Sequence, residues 1–105
     1  MGKELNNSYQ NAEEVFSIFD KKWMGLIVDV LLDGPQRYKD IAQTIPTISD
    51  RILVQRLKEL TENGIVIRKV YPESPIRVEY QLTDKGIALN AILAEVHKWS
   101  EKWGD

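Results

Sequence analysis

A short helix with one apolar side, followed at once by two strand-like runs, constrains the fold of this 105-residue chain more than any other feature. Between residues 49 and 63, Leu53, Leu57 and Leu60 recur at intervals of four and three. At 3.6 residues per turn these leucines share one narrow face and must point inward. The opposite face carries polar side chains: Arg51, Gln55 and Lys58. The pattern predicts a helix with a buried apolar face and a basic outer face.

Both ends of this helix are marked in the sequence. Ser49 suits the N-cap, because its hydroxyl can accept a hydrogen bond from an amide of the first turn. Gly64 suits the left-handed position just past the last turn. An ordinary amphipathic surface helix with a solvated polar side would look the same, so the segment that follows decides the interpretation.

Two runs rich in β-branched and aromatic residues, 65–71 and 76–82, flank a segment that contains Pro72 and Pro75. This composition predicts antiparallel strands joined by a turn, which is a wing beside the helix. The wing carries three basic side chains that could reach phosphates: Arg68, Lys69 and Arg77. Glu73, at the tip, would repel those phosphates.

The remaining segments predict a helical framework around this unit. We expect a flexible tail over residues 1–10 and a first helix from Asn11, which has a glutamate three residues later. Further helices are expected over 23–32, where Gly25 suggests the close approach of another backbone, and over 38–45. The expected fold is mainly α with a β-hairpin wing, a winged helix-turn-helix. It forms one domain over residues 11–105 and ends in a dimerisation helix.

Composition limits the classes of function. The 43% hydrophobic content suffices for one modest core, and no apolar run approaches the roughly 20 residues that span a membrane. We therefore expect a cytoplasmic protein without membrane contact. His97 is the one histidine and cysteine is absent, which leaves no metal site or nucleophile and base pair. We expect His97 to be solvated, no enzyme activity and no cofactor.

Charge is distributed unevenly along the chain, although the net charge is only −2. Residues 36–80 carry eight basic and six acidic side chains, whereas residues 1–35 and 81–105 both carry an excess of acids. Positive charge is thus concentrated in the helix and hairpin, as expected if one surface meets phosphates. Because the excess is small, useful affinity for double-stranded DNA would need two copies or good base contacts.

The residue types suggest roles on DNA. Arg51 and Gln55 should reach base edges, since arginine pairs with guanine and glutamine with adenine. Ser49 and Lys58 should touch phosphate, whereas Arg56, nearer the buried face, suits a structural ion pair or a phosphate contact equally. The start of the third helix adds candidate phosphate contacts: Arg37, Tyr38 and Lys39. Tyr38 is equally compatible with the core.

The last helix, after a fitting N-cap at Thr83, carries large apolar residues at spacings of three and four. They are Leu89, Ile92, Val96, Trp99 and Trp103. Such a seam is typical of packed helix pairs and predicts a homodimer, although the seam could instead pack only on the first helix of its own chain. The expected partners from the first helix are Val15, Phe16 and Phe19. In a two-fold dimer the recognition helices should lie about 34 Å apart, one turn of DNA.

Four blocks in order resemble the HxlR-type winged-helix regulators of bacteria: KW at 22–23, LLDGPQRY at 31–38, LVQRLKEL at 53–60 and YPESPIRVEYQLTDKG at 71–86. The resemblance covers about residues 11–103. It implies a homodimeric transcriptional regulator that binds operator DNA, often near its own or a neighbouring gene.

One departure from the family is informative. Many HxlR-type regulators sense electrophiles or oxidants through a cysteine near the start of the first helix, where this chain has Tyr9, Gln10 and Asn11. With no cysteine anywhere, that chemistry cannot apply. Either an unidentified small-molecule effector binds elsewhere, for example at the dimer interface, or the protein has no effector. A winged helix that binds a protein partner and not DNA is the alternative function.

Overall fold

The structure is a computed structural model and describes residues 7–104. Four helices, one β-hairpin and two further helices follow one another along this part of the chain, which is the order of a winged helix. The elements are α1 (Asn7–Ile18), α2 (Met24–Leu31), α3 (Tyr38–Thr44), α4 (Asp50–Glu62), β1 (Val66–Tyr71), β2 (Arg77–Leu82), α5 (Asp84–Ile87) and α6 (Asn90–Trp103). Within the described range, no helix is long and apolar enough to cross a membrane.

Most element boundaries agree with the sequence pattern to within one or two residues, and the predicted fold class is confirmed. The start of the first helix was predicted wrongly. It begins at Asn7, so Asn11 lies inside the helix and is not its N-cap. The first six residues of the predicted tail lie outside the described residues.

The last helix is interrupted, although the sequence predicted one continuous helix after Thr83. Ala88 and Leu89 separate α5 from α6, and their ψ angles of −19° and −12° lie nearer zero than those of an α-helix. Thr83 is the N-cap of α5, as predicted, because its hydroxyl accepts a hydrogen bond from the Gly86 amide at 3.1 Å.

The core surrounds α2, whose Ile27 and Val28 are fully buried. Ile41 of α3 and the three leucines of α4 pack into the same cluster. Gly25 of α2 does not face another backbone as predicted. A Cβ there would lie 3.4 Å from a ring carbon of Phe19, so a side chain is what approaches it.

The wing is an antiparallel pair in which Val66 lies opposite Leu82 and Tyr71 opposite Arg77. Gln36, just before α3, extends this sheet. Its backbone amide donates to the Tyr80 oxygen at 2.9 Å, and the Tyr80 amide donates back at 2.8 Å. The wing is therefore attached to the helix-turn-helix on both sides, through α4 and through the segment before α3.

Side chains alternate between the two faces of the wing. Val66 and Leu82 are buried, so their face is turned toward the core. Arg68 and its partner Tyr80 share that face, whereas Lys69 and its partner Glu79 lie on the other. The two exposed basic residues of β1 therefore project in opposite directions.

Polar contacts join the inner side of α4 to the turn between α1 and α2. The Arg56 guanidinium donates to the Lys22 backbone oxygen at 3.0 Å and to Glu59 at 2.9 Å, and Glu59 also pairs with Lys21. Of the two roles suggested by the sequence, the structure shows the ion pair for Arg56.

The hydrogen bond from Lys21 is the main cause that holds the pKa of Glu59 below its ordinary value, and Arg56 acts in the same direction. Because the folded pKa is depressed, the stabilising contribution of Glu59 is present at neutral pH. It is lost as the pH falls through the folded pKa.

The end of α4 is held by α5. The Thr83 hydroxyl lies 2.6 Å from the Gly64 backbone oxygen, and Lys85 donates to the Asn63 oxygen at 2.9 Å. Gly64 has φ 74°, the left-handed conformation that the sequence predicted after the last turn. These contacts fix the angle at which the chain passes from α4 into the wing.

Replacing Gly86 by alanine should destabilise the protein. A Cβ at this position would lie 2.3 Å from the Ile65 backbone oxygen and 3.0 Å from Cδ2 of Leu82. Relief of this overlap requires a backbone shift, and overpacking of this kind costs about 1–3 kcal/mol. Urea unfolding followed by circular dichroism, at one fixed protein concentration, should show the lower midpoint.

Gly25→Ala is the matched control. Its Cβ would have ordinary contacts, and alanine is favoured over glycine in a helix by about 1 kcal/mol. The variant should be at least as stable as the wild type. An equal loss in both variants would contradict the packing explanation.

Arg56→Ala should lower the free energy of unfolding by about 1–2 kcal/mol, because it removes hydrogen bonds between α4 and the α1–α2 turn. Arg51→Ala, at an exposed position on the same helix, should change it by less than about 0.5 kcal/mol. Equal effects in a denaturant titration would show that the inner contacts do not stabilise the fold.

Candidate nucleic-acid interface

The outer face of α4 presents Arg51, Gln55 and Lys58 to solvent. The leucines opposite them are 0–2% exposed, so they fix the orientation of the helix. None of these three outer side chains forms a hydrogen bond or ion pair with another described residue. Their polar groups are therefore available to an external partner.

The first turn of α4 is capped as predicted. The Ser49 hydroxyl accepts a hydrogen bond from the Ile52 amide at 3.2 Å. Ser49 is exposed at the start of the helix, so a molecule that contacts the first turn of α4 could also reach its hydroxyl. The cap explains why the helix begins here, one residue before Arg51.

Tyr38 links the two helices of the helix-turn-helix. Its hydroxyl lies 2.9 Å from Oδ1 and 3.1 Å from the backbone oxygen of Asp50, and its ring packs against the core. Partial burial, followed by the hydrogen bond to Asp50, raises the pKa of Tyr38. The sequence was compatible with either a core position or a phosphate contact for Tyr38. In the structure its ring packs against the core and its hydroxyl is bound to Asp50. Arg37 and Lys39, its neighbours, are exposed.

A shallow groove lies between α4 and the wing. It is lined by side chains of both elements, among them the acidic Glu62: Val54, Leu57, Lys58, Thr61, Glu62, Arg68 and Tyr80. Lys58 and Arg68 place two positive charges along this groove. Lys69 lies outside it, on the other face of the wing.

Arg77 is occupied within the wing itself. Its guanidinium lies 2.9 Å from Glu73 and 2.6 Å from Glu79, and it stacks 3.8 Å from the centre of the Tyr71 ring. These bonds raise the pKa of Arg77, and the Arg77 hydrogen bond holds the pKa of Glu73 below its ordinary value. Glu73 thus binds the arginine that the sequence assigned to phosphate.

The terminal helices leave a large apolar surface uncovered. Trp99 and Trp103 are 64% and 63% exposed, and other apolar side chains of α1 and α6 are also exposed. These are Phe16, Ile92 and Val96. Val15 and Phe19 are partly buried and line a groove of about 450 Å³ between the two helices.

Leu89 does not belong to this surface, contrary to the sequence pattern. It is 7% exposed and packs in the core of its own chain together with Leu93. The sequence pattern treated the chain after Thr83 as one helix, whereas Leu89 lies in the break between α5 and α6, where helical spacing does not fix the direction of a side chain. Leu89 is therefore not part of the exposed seam.

His97 contacts another helix as well as solvent. Its Nε2 lies 2.9 Å from Oδ2 of Asp29 on α2, a contact that the expectation of a solvated histidine missed. Among the described residues, no group of three or more histidine and carboxylate side chains could hold a metal ion.

The sequence analysis overlooked Val54, which lines the groove between α4 and the wing. It lies on the polar side of α4, and 57% of it is exposed. The sequence did contain a signal for it, because Val54 is an apolar residue that lies outside the face formed by Leu53, Leu57 and Leu60.

The comparisons with known proteins agree with this geometry. The family model for HxlR-like helix-turn-helix proteins matches residues 18–105. The HTH-type transcriptional regulator YodB of Bacillus subtilis is 48% identical over 98 residues, which cover 93% of this chain and 88% of YodB.

Two solved structures extend the comparison. The reduced form of YodB superposes with a TM-score of 0.80 at 46% identity and covers 95% of both chains. The redox regulator HypR in its oxidised form gives a TM-score of 0.84 at 34% identity, over 90% of this chain and 98% of that one. With the described helix-turn-helix and wing, these matches show that the chain belongs to the HxlR-like helix-turn-helix family of DNA-binding transcriptional regulators.

Proposed function

We propose that this protein is a sequence-specific transcriptional regulator that binds a pseudo-palindromic operator as a homodimer. The recognition helix, residues 49–63, lies in the major groove, and the wing, residues 65–82, contacts the adjacent backbone. The observation that carries the proposal is the outer face of α4, where Arg51 and Gln55 are exposed and without partners among the described residues.

The arrangement of polar groups suits the N-terminal half of α4 for base contacts. Arg51 can donate two hydrogen bonds to guanine, and Gln55 can bond adenine in the same plane. Glu62 lies near the other end of the same face, where its charge would oppose close contact with phosphate. The helix would therefore enter the groove with its first turns.

Phosphate contacts surround this centre. Ser49 and Lys58 on α4, Arg68 in the groove beside it and Lys69 on the wing are exposed. Arg37 and Lys39 add two exposed cations at the start of α3. We give Tyr38 and Arg77 a supporting role, because their polar groups are bound by Asp50 and by the wing carboxylates.

Dimerisation is supported by the apolar surface of α1 and α6 and by the extent of the chain. The Cα radius of gyration is 15.8 Å, whereas a compact domain of this length has about 13 Å. Large aromatic side chains that are exposed on such an extended chain are suited to packing against a second copy of the chain. A two-fold dimer would present its two α4 helices to half-sites about 34 Å apart.

Any signal that this protein answers differs from oxidation of a thiol within this chain. HypR is described as a redox regulator, but this chain has no cysteine. We propose that its effector is a small molecule bound without a covalent bond beside the terminal helices.

Selection of bound duplexes from a random pool should return a motif with two-fold symmetry. Arg51→Ala should weaken binding to that motif by about 1–3 kcal/mol and relax the preference at one base pair of each half-site. Lys58→Ala should weaken binding to all DNA sequences alike. It should also reduce the salt dependence of the binding constant by about one released ion per lost phosphate contact.

Lys98→Ala is the charge-matched control, since Lys98 is exposed on α6 and pairs with Glu95. It should leave binding and its salt dependence unchanged. A protein that binds no duplex at low salt would contradict the regulator proposal and favour a protein-interaction module.

Trp99→Ala should weaken the homodimer. Buried tryptophans at interfaces contribute about 2 kcal/mol or more, and two-fold symmetry places each in the interface twice. Sedimentation at several concentrations should show a rise of at least thirtyfold in the dissociation constant. Ile87→Ala, which removes an exposed aliphatic group on α5, should leave the dissociation constant unchanged. A monomeric wild type at micromolar concentration would contradict the homodimer.

A further inference from the structure

We infer that Val54 is a specificity-determining residue that contacts the 5-methyl group of thymine in each half-site. The inference rests on the proposed function and assigns an apolar contact that the polar residues of α4 cannot make.

Burial separates Val54 from the other aliphatic residues of α4. Leu53, Leu57 and Leu60 are buried and Ile52 is partly buried, whereas Val54 is 57% exposed. A valine that is more than half exposed gains little from packing within the chain, and its β-branched side chain loses rotamer freedom in a helix. The local structure therefore gives only a weak reason for valine at this position.

The angular position of Val54 places it on the surface that meets DNA. Around the helix axis it lies about 60° from Arg51 and about 40° from Lys58. It also lines the groove shared with Arg68 of the wing. Val54 thus lies at the edge of the polar face of α4 that borders this groove, about one turn along the helix from both Arg51 and Lys58.

The chemistry of the major groove identifies the partner. Among the base edges exposed there, thymine presents a methyl group, which is recognised by apolar contact and not by hydrogen bonds. Val54 carries two methyl groups and no polar atom. Arg51 and Gln55 supply donors and acceptors to neighbouring bases, so the three residues together would read chemically different edges.

The test uses the intact protein and the duplex recovered from the random pool. Each symmetric pair of thymines is replaced in turn by deoxyuridine, which removes the methyl group and keeps the base pairing. One pair should weaken wild-type binding about fourfold per half-site, the change expected when one methyl group loses its apolar contact. The same replacement should change binding by Val54→Ala less than twofold.

Ile87→Ala is the control, because it removes an exposed aliphatic side chain of α5. It should show the wild-type response to every deoxyuridine. Val54→Ala places a better helix former at an exposed position, so its unfolding midpoint should match the wild type or exceed it.

The outcomes separate this inference from the proposed function. If wild type and Val54→Ala respond alike at every thymine while Arg51→Ala still relaxes specificity, the assignment of Val54 is wrong and the regulator stands. If no duplex is selected at all, both are overturned. Coupling between Val54 and one methyl group supports both.

Discussion

Burial of three leucines determines which side of α4 faces solvent. Leu53, Leu57 and Leu60 pack into the core around α2, and each fully buried leucine contributes about 1.5–3 kcal/mol. A rotation of α4 about its axis would expose them, so the helix has one stable orientation. The exposure of Arg51 and Gln55 follows from that orientation, because neither side chain has a hydrogen bond or ion pair with another residue in the described part of the chain.

Charge on the rest of this surface is sorted by contacts within the chain. Arg77 and Arg56 are bound by carboxylates and shape the wing and the back of α4. Arg51, Lys58 and Arg68 keep their charges exposed. Glu59, Glu73 and Glu79 pair with these structural arginines, whereas Asp50 and Glu62 of α4 stay exposed. A protein with a net charge of −2 can in this way expose several basic side chains, unpaired within the described residues, beside these two acids.

Local signals in the sequence were enough to predict the centre of the fold. The leucine spacing, the Ser49 cap and the two β-branched runs depend on neighbouring residues, and the structure shows all three. Contacts between distant segments were not predictable. Arg56 binds a backbone oxygen 34 residues earlier in the chain, and the partners of Arg77 depend on the geometry of the hairpin. Leu89 was misplaced because it lies in the break between α5 and α6, where helical spacing does not apply. The start of α1 was misplaced because Asn11 and Glu14 resemble a cap wherever they occur.

The contacts of Arg56 and Glu59 have a mechanical consequence for α4. They attach the turn between α1 and α2 to the side of α4 that faces away from solvent. A movement of the turn that follows α1 must either displace α4 as a rigid unit or break these half-buried polar bonds. The orientation of α4 is thus tied to the position of the turn after α1, over a path of only a few side chains.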